Sequence, residues 1–280
     1  MYKMLMSGSE VAMGILKELV NKRVEMSSNP TLGIIRVGEK SNDLAYERSI
    51  LKKFSDLNLS LKIFNLPADV SQKKFDEKFD EVNLDPAIHG ILLFRPLPEE
   101  LSDKHARATI KPDKDIDCMG YENIAKLFSG EPDGYAPCTA AAAMKILDFY
   151  KIDLNGKNVA VLGRSLVIGR PVASMLTTKN ATVTLCHSKT KDLKSICQRS
   201  DIIITAMGKS NFLTSDYFNE HSIIIDVGIN SDADGKLCGD VNFEEVSGKV
   251  AGITPVPGGV GAVTTSILAL NVLKACLNSY

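Results

Sequence analysis

Short β-branched runs alternate with amphipathic stretches along most of this chain, and that rhythm narrows the available folds more than any other feature. Leu32-Gly33-Ile34-Ile35-Arg36-Val37, Leu61-Lys62-Ile63-Phe64 and Ile88-His89-Gly90-Ile91-Leu92-Leu93-Phe94 read as strands. Helical patterns at roughly 42–57 and 71–84 lie between them, and an earlier helix places Val11, Ala12, Ile15, Leu16, Leu19 and Val20 at helical spacing behind Ser9 as N-cap. Strand and helix in turn require crossover connections and a mostly parallel sheet. After Pro96-Leu97-Pro98 and a polar stretch to Asp117 the pattern becomes loop-rich, with Gly130, Pro132, Gly134 and Pro137 marking a non-helical connection and a boundary. A helix at Ala140–Tyr150 then leads into a second series, with strands at Val159–Leu162, Thr182–Leu185, Ile202–Thr205 and Ile223–Val227 and a last helix at Ile267–Leu277.

The 280 residues suffice for two such α/β layers. Lys and Arg total 33 against 34 Asp and Glu, a net charge of -1, so no global field holds a polyanion and nucleic acid is not an expected partner. The N-terminal Met1-Tyr2-Lys3-Met4-Leu5-Met6-Ser7 lacks an apolar signal core. No apolar run reaches the ~20 residues that span a bilayer, so no membrane partner is expected and the cytoplasm is the expected location. Cys118, Cys138, Cys186, Cys197, Cys238 and Cys276 form no C-x-x-C pair and read as reduced, buried thiols. The four histidines are equally dispersed, and no metal site is expected.

Chemistry concentrates where Asn158-Val159-Ala160-Val161-Leu162, an apolar strand, runs into Gly163-Arg164-Ser165-Leu166-Val167-Ile168-Gly169-Arg170-Pro171 and a helix through Val172, Met175 and Leu176. Two glycines there permit a tight turn and close helix–strand packing, Pro171 suits a first helical position, and amides at the helix start face a pyrophosphate. The spacing is G-x-S-x-x-x-G rather than G-x-G-x-x-G, so a purely structural glycine turn remains the plain alternative. At the end of the next strand the usual acidic ribose ligand is absent and His187-Ser188-Lys189-Thr190 stands instead. Arg164 and Ser188 there suit a 2′-phosphate, which favours NADP over NAD. Lys189 as a solvated charge and His187 packed on the sheet are the alternatives. Thr254-Pro255-Val256-Pro257-Gly258-Gly259-Val260-Gly261 combines rigid and permissive residues that let backbone approach a flat ligand, or form a connecting loop.

These blocks carry a family resemblance. Gly163-Arg164-Ser165 through Gly169-Arg170-Pro171, then Cys186-His187-Ser188-Lys189-Thr190, resemble methylenetetrahydrofolate dehydrogenase/methenyltetrahydrofolate cyclohydrolases. Asp226-Val227-Gly228-Ile229-Asn230, Gly239-Asp240-Val241 and Thr254 to Gly261 look like later blocks of that family. Gly90-Ile91-Leu92, Pro96-Leu97-Pro98 and Lys114-Asp115-Ile116-Asp117 look like earlier ones, in order over nearly the whole chain. The resemblance implies an α/β fold with an N-terminal catalytic domain at 1–139, rejoined by a C-terminal helix at 266–280, a Rossmann-like NADP-binding domain at 140–265, and a folate cleft between them. It implies an NADP-dependent methylenetetrahydrofolate dehydrogenase acting on a tetrahydrofolate derivative, and a homodimer paired through the nucleotide domain. The cofactor-binding set it implies is Gly163, Arg164, Ser165, Ile168, Gly169, His187, Ser188 and Ile229. Tyr46 matches a substrate-stacking tyrosine, Asp117 the carboxylate that hydrogen-bonds the pterin, and Pro257, Gly258 and Gly259 a stretch against pterin or nicotinamide.

The chain departs from the family on one side. The family lysine four residues after Tyr46 is Ile50, and the glutamine that partners it is Phe94. Gly-Phe-His after Asp117 is Cys118-Met119-Gly120, and the proline after Gly261 is Ala262. Hydride transfer needs mainly positioning, whereas hydrolysis needs a group that moves protons, which isoleucine and phenylalanine cannot do. The expectation is therefore a dehydrogenase with cyclohydrolase activity lost or strongly reduced. Lys53, two turns from Tyr46 on the same face, or a water chain, is the alternative carrier of the missing role; Lys53 as part of a solvated helix surface is the plain reading. An NADP oxidoreductase with a shifted substrate and a non-catalytic nucleotide-binding scaffold are further alternatives.

Overall fold

A computed structural model describes residues 4–24, 26 and 28–279. The chain opens with β1 (Met4–Leu5) and α1 (Gly8–Val24), followed by β2 (Thr31–Val37), α2 (Ser41–Asp56), β3 (Ser60–Leu66), α3 (Gln72–Leu84) and β4 (Gly90–Leu93). Next come α4 (Lys104–Thr109), α5 (Tyr121–Ser129) and α6 (Cys138–Phe149). The second series runs β5 (Asn158–Leu162), α7 (Gly169–Thr178), β6 (Thr182–Cys186), α8 (Leu193–Gln198), β7 (Ile202–Thr205) and β8 (Ile223–Asp226). Then follow β9 (Asn230–Ser231), β10 (Leu237–Cys238), α9 (Phe243–Val246), β11 (Gly252–Ile253) and α10 (Val260–Leu277).

Two compact α/β units result, one made of the chain up to Gly14 with Thr139–Thr264, the other of Ile15–Cys138 with the chain from Thr265 on. The expected division at 1–139 differs at the N-terminus, because Met4 and Leu5 pair in parallel with Gly252 and Ile253 and so join the sheet of the later unit. That sheet has the order β1-β11-β8-β7-β5-β6 and is parallel throughout. From β5 the chain passes to β6 on one side and then returns to β7 on the other, creating a crevice at the strand ends where α/β proteins bind ligands. The other unit holds a three-stranded parallel sheet, β3-β2-β4, whose central strand β2 is buried along its whole length.

Burial on both faces explains why β2 reads as a nearly unbroken apolar run, and why its one charge needs a partner. Arg36 donates from Nε to Glu47 Oε2 at 2.9 Å, with both side chains almost wholly buried, and a second guanidinium nitrogen donates to the Gly38 carbonyl. Glu47 stands next to Tyr46, so this ion pair fixes the N-terminal half of α2 against β2. Ile50 and Phe54 continue the buried stripe of α2.

Several local expectations are corrected. Helix α1 begins at Gly8, one residue before the expected cap Ser9, and Gly8 donates its N–H to the Gly258 carbonyl at 2.8 Å. Pro171 is the third residue of α7, not the first, and still lies in the turn whose amides lack helical acceptors. The polar stretch before Asp117 contains α4, and the loop-rich one after it contains α5, stopped by Gly130 in the left-handed conformation at φ 76°. The last helix starts seven residues earlier than Ile267, at Val260. Among the described residues α10 is long and apolar enough to cross a membrane, yet two-thirds of it is buried in the fold, as in a core helix. The six cysteines are free thiols, all buried except the half-buried Cys238.

Candidate active site

Of the expected folate residues, Tyr46 and Asp117 lie in the unit built on β2, whereas Pro257, Gly258 and Gly259 belong to the other unit. Tyr46, on α2, stacks with Phe94, just past β4, at 5.6 Å between ring centroids and 29° between planes. Burial raises the Tyr46 phenol well above its ordinary pKa, and Cys138 and Asp117 nearby raise it further. The phenol is therefore a neutral hydrogen-bond donor at working pH. Asp117 is half-buried and accepts the Cys138 N–H on Oδ1 at 2.8 Å. Burial pushes its carboxyl above the usual aspartate range, against the pull of Cys138 and the Arg95 charge.

The neighbours of Asp117 have other work. Lys114 donates to the Asn83 and Asp85 carbonyls at 2.9 and 2.7 Å, closing the end of α3. Asp115 accepts from Met119 N–H, Gly120 N–H and Asn123 Nδ2 at 2.8 to 3.0 Å, which shapes the loop; burial still pushes its carboxyl up to about 6. Lys114 and Asp115 are nearly inaccessible, so of the three charged residues in Lys114-Asp115-Ile116-Asp117 only Asp117 keeps an accessible carboxyl. Asn271 of α10 donates to the Ile116 carbonyl at 2.9 Å and holds the same loop from the other side.

Ile50 is 0% exposed and Phe94 6%, so the side of Tyr46 they occupy is apolar. Lys53 is half-buried, and burial lowers its ammonium pKa, offset by Asp56 and assisted by Lys52. It stands seven residues from Tyr46, about 10 Å along the helix axis.

In the other unit, β5 ends at a turn that admits no side chain at two places. Gly163 has φ 132° and a Cβ there would lie 2.5 Å from the Ala206 carbonyl, while one on Gly169 would overlap the Gly163 carbonyl. Ser165 Oγ accepts the Ile168 N–H at 3.1 Å and caps the approach to α7. Strands β5 and β6 are in register up to Leu162 opposite Cys186, so Arg164 and the His187–Ser188 turn emerge side by side. His187 is tied into that turn: its N–H donates to Thr190 Oγ1 at 2.8 Å and its Nδ1 accepts the Lys189 N–H at 3.1 Å. Arg164, Ser188 and Lys189 are exposed, and no acid stands at the strand end. Ile229, 66% exposed, lines a cavity of about 240 Å³ with Leu237, Pro257, Gly258, Gly259 and Val260. Among the described residues no group of His, Cys, Asp or Glu is arranged to hold a metal ion.

The two stretches of chain that carry these residues match known protein domains. Residues 6–117 match the tetrahydrofolate dehydrogenase/cyclohydrolase catalytic domain, and residues 137–280 match the NAD(P)-binding domain of the same family. The chain belongs to the tetrahydrofolate dehydrogenase/cyclohydrolase family. It is 46% identical to the bifunctional protein FolD of Clostridium botulinum (strain Okra / Type B1) over 97% of each chain. The crystal structure of the bifunctional FolD methylenetetrahydrofolate dehydrogenase/cyclohydrolase from Campylobacter jejuni superposes with a TM-score of 0.95 at 37% identity, covering 99% of both chains. The Trypanosoma brucei dehydrogenase-cyclohydrolase, solved with NADP cofactor and inhibitor, gives 0.93 at 34% identity, covering 100% of this chain and 99% of the other. Family membership fixes the two-domain α/β architecture. The roles of individual residues rest on the geometry above.

Residue spacing alone missed the buried Arg36–Glu47 pair and the Cys138 N–H on Asp117, because each joins segments distant in sequence. A lone arginine inside an apolar strand was the one signal that pointed to the first.

Proposed function

We propose that this protein is an NADP-dependent 5,10-methylenetetrahydrofolate dehydrogenase of one-carbon folate metabolism whose cyclohydrolase activity is weak or absent. The observation that carries the first half is the tight turn in which Gly163 and Gly169 admit no Cβ, with Arg164 in it and Ser188 at the neighbouring strand end, where no acid stands. A Cβ at either glycine would strike backbone, so glycine alone lets β5 and α7 close up and brings the first amides of α7 to where a pyrophosphate would sit, and a 2′-phosphate meets a guanidinium rather than a carboxylate. NADP, when bound, supplies the hydride acceptor. Gly163, Arg164, Ser165, Ile168, Gly169, His187 and Ser188 hold its phosphates and adenosine end, and Ile229 packs on the far end.

Asp117, ionised, accepts the amino and amide hydrogens of the pterin. Tyr46, backed by Phe94, offers its ring and its neutral O–H to the folate, and Pro257, Gly258 and Gly259 lie against pterin or nicotinamide. The lone pairs of the folate nitrogens drive hydride departure from the methylene carbon, so the protein contributes orientation. Hydrolysis of the methenyl product requires a proton carrier beside the reacting carbon, and buried Ile50 and Phe94 put none there. The reading extends to a homodimer in the cytoplasm, which sedimentation and cell fractionation test.

The experiment is direct. Purified protein given methylenetetrahydrofolate should reduce NADP much faster than NAD, and methenyltetrahydrofolate absorbance should accumulate. Hydrolysis keeping pace with hydride transfer overturns the second half of the proposal, and no NADP reduction overturns the first. One observation favours a bifunctional enzyme instead: Lys53 is half-buried with a lowered pKa, as suits a proton carrier. In that case Lys53→Met abolishes hydrolysis and spares NADP reduction.

Asp117→Asn should lower kcat/KM for the folate about tenfold, the scale of one charge-assisted hydrogen bond. Only the ionised carboxylate accepts pterin hydrogens, so binding is full above the Asp117 pKa and lost below it. Burial raises that pKa, which puts the acid limb of kcat/KM above the ~3.9 of a free aspartate. A pH profile of the Asp117→Asn variant should lack this limb.

A further inference from the structure

Asp240 is 0% exposed, lies between the strand-end loops of the nucleotide unit, and is used by neither proposed reaction. Its Oδ2 accepts Thr205 Oγ1 at 2.8 Å and Met207 N–H at 2.6 Å; its Oδ1 accepts Lys209 N–H at 2.8 Å and Asn230 Nδ2 at 3.0 Å. Four donors from two loops thus meet on one carboxylate. Thr205, Met207 and Lys209 belong to the end of β7 and the loop after it, and Asn230 directly follows Ile229 after β8. A second carboxylate answers it, since Asp226 accepts Gly228 N–H at 2.9 Å, Asp240 N–H at 3.2 Å and Val241 N–H at 2.9 Å. The first of these loops also touches the phosphate turn, because Gly163 packs on the Ala206 carbonyl.

A continuous path therefore runs from Gly163 through Ala206 and Met207 to Asp240, and on through Asn230 to Ile229. Resting on the NADP reading above, we propose that Asp240 is a positioning residue that sets the distance between the pyrophosphate turn and the Ile229 cavity, and so places the nicotinamide end of the cofactor. A buried carboxylate suits this task because its two oxygens fix four donors at once, and losing any one leaves a charge less well satisfied.

Thr205→Val tests it without a large packing change, since valine has nearly the same shape and only the hydroxyl donor is lost. The variant should lower kcat for NADP reduction about tenfold and raise the NADP KM several-fold, the scale of one hydrogen bond to a charged group. Its affinity for 2′,5′-ADP, which spans only the adenosine end, should stay within twofold of wild type. Thr205→Ser, which keeps the hydroxyl, should restore both kinetic constants. Wild-type kinetics in Thr205→Val, loss of activity in Thr205→Ser equal to that in Thr205→Val, or a matching loss of 2′,5′-ADP affinity would each overturn the inference. A wild-type protein that fails to reduce NADP overturns the cofactor reading as well, whereas an active wild type with an indifferent Thr205→Val overturns the brace alone. Asp240→Asn, assayed alongside a thermal melt, should shift the same two constants further in the same direction.

Discussion

Replacing Ile50 by lysine together with Phe94 by glutamine is expected to speed methenyltetrahydrofolate hydrolysis about 100-fold or more, the scale of a positioned general acid or base. Ile50 lies one helical turn beyond Tyr46, fully buried, and Phe94 stacks on the same tyrosine. An amine placed there is desolvated, which lowers its pKa toward working pH, and a glutamine at position 94 gives it a hydrogen-bond partner. Ile50→Lys alone should fare worse, because a buried cation without a partner costs several kcal/mol of stability. A thermal melt of single and double variants reads that difference, and decay of methenyl absorbance reads the chemistry. A wild-type protein that already hydrolyses the methenyl product at the rate it forms leaves the double variant nothing to restore, and then Lys53→Met is the variant that should fail.

The second large effect is expected from one methyl group. Gly169→Ala puts a Cβ onto the Gly163 carbonyl, which belongs to rigid backbone between β5 and α7. The turn must open, the first amides of α7 move off the phosphate, and NADP affinity should fall at least about 100-fold, since several contacts to a charged group are lost together. Titration with NADP measures it. Gly156→Ala serves as a control for handling, because nothing lies within 4 Å of a Cβ there, although its φ of 71° costs some stability. Equal NADP affinity in Gly169→Ala and wild type would remove this turn from the cofactor site.

Much of this fold can be read in advance, for physical reasons that also mark the limits. β2, β5, β7 and β8 are covered on both faces, so their apolar runs are long and unmistakable, and their positions agree with the expectation within a residue or two. β1, β9, β10 and β11 have two residues each, too few for any period to show. α5 was hidden by the glycines and prolines that follow it, which are its terminator rather than evidence against it. At the site, Tyr46, Asp117 and the glycine turn stand in recognisable blocks. The contacts that hold their surroundings come from residues outside those blocks: Arg36 holding Glu47, Cys138 meeting Asp117, and Asp240 gathering donors from two loops. Pairings of that kind have no local pattern to betray them.

Strand β1 has a practical bearing on how this chain can be dissected. The backbone passes between the two units near residues 14, 138 and 264, so neither is one uninterrupted stretch. A fragment cut at residues 140–265 would lack Met4 and Leu5, leaving Gly252 and Ile253 as a bare sheet edge open to pairing with other molecules. A soluble nucleotide-binding fragment should instead carry the first fourteen residues joined by a linker to residue 139. Met4 and Leu5 are thus structural material for the later unit, and a stiff junction placed just ahead of them would press on its sheet.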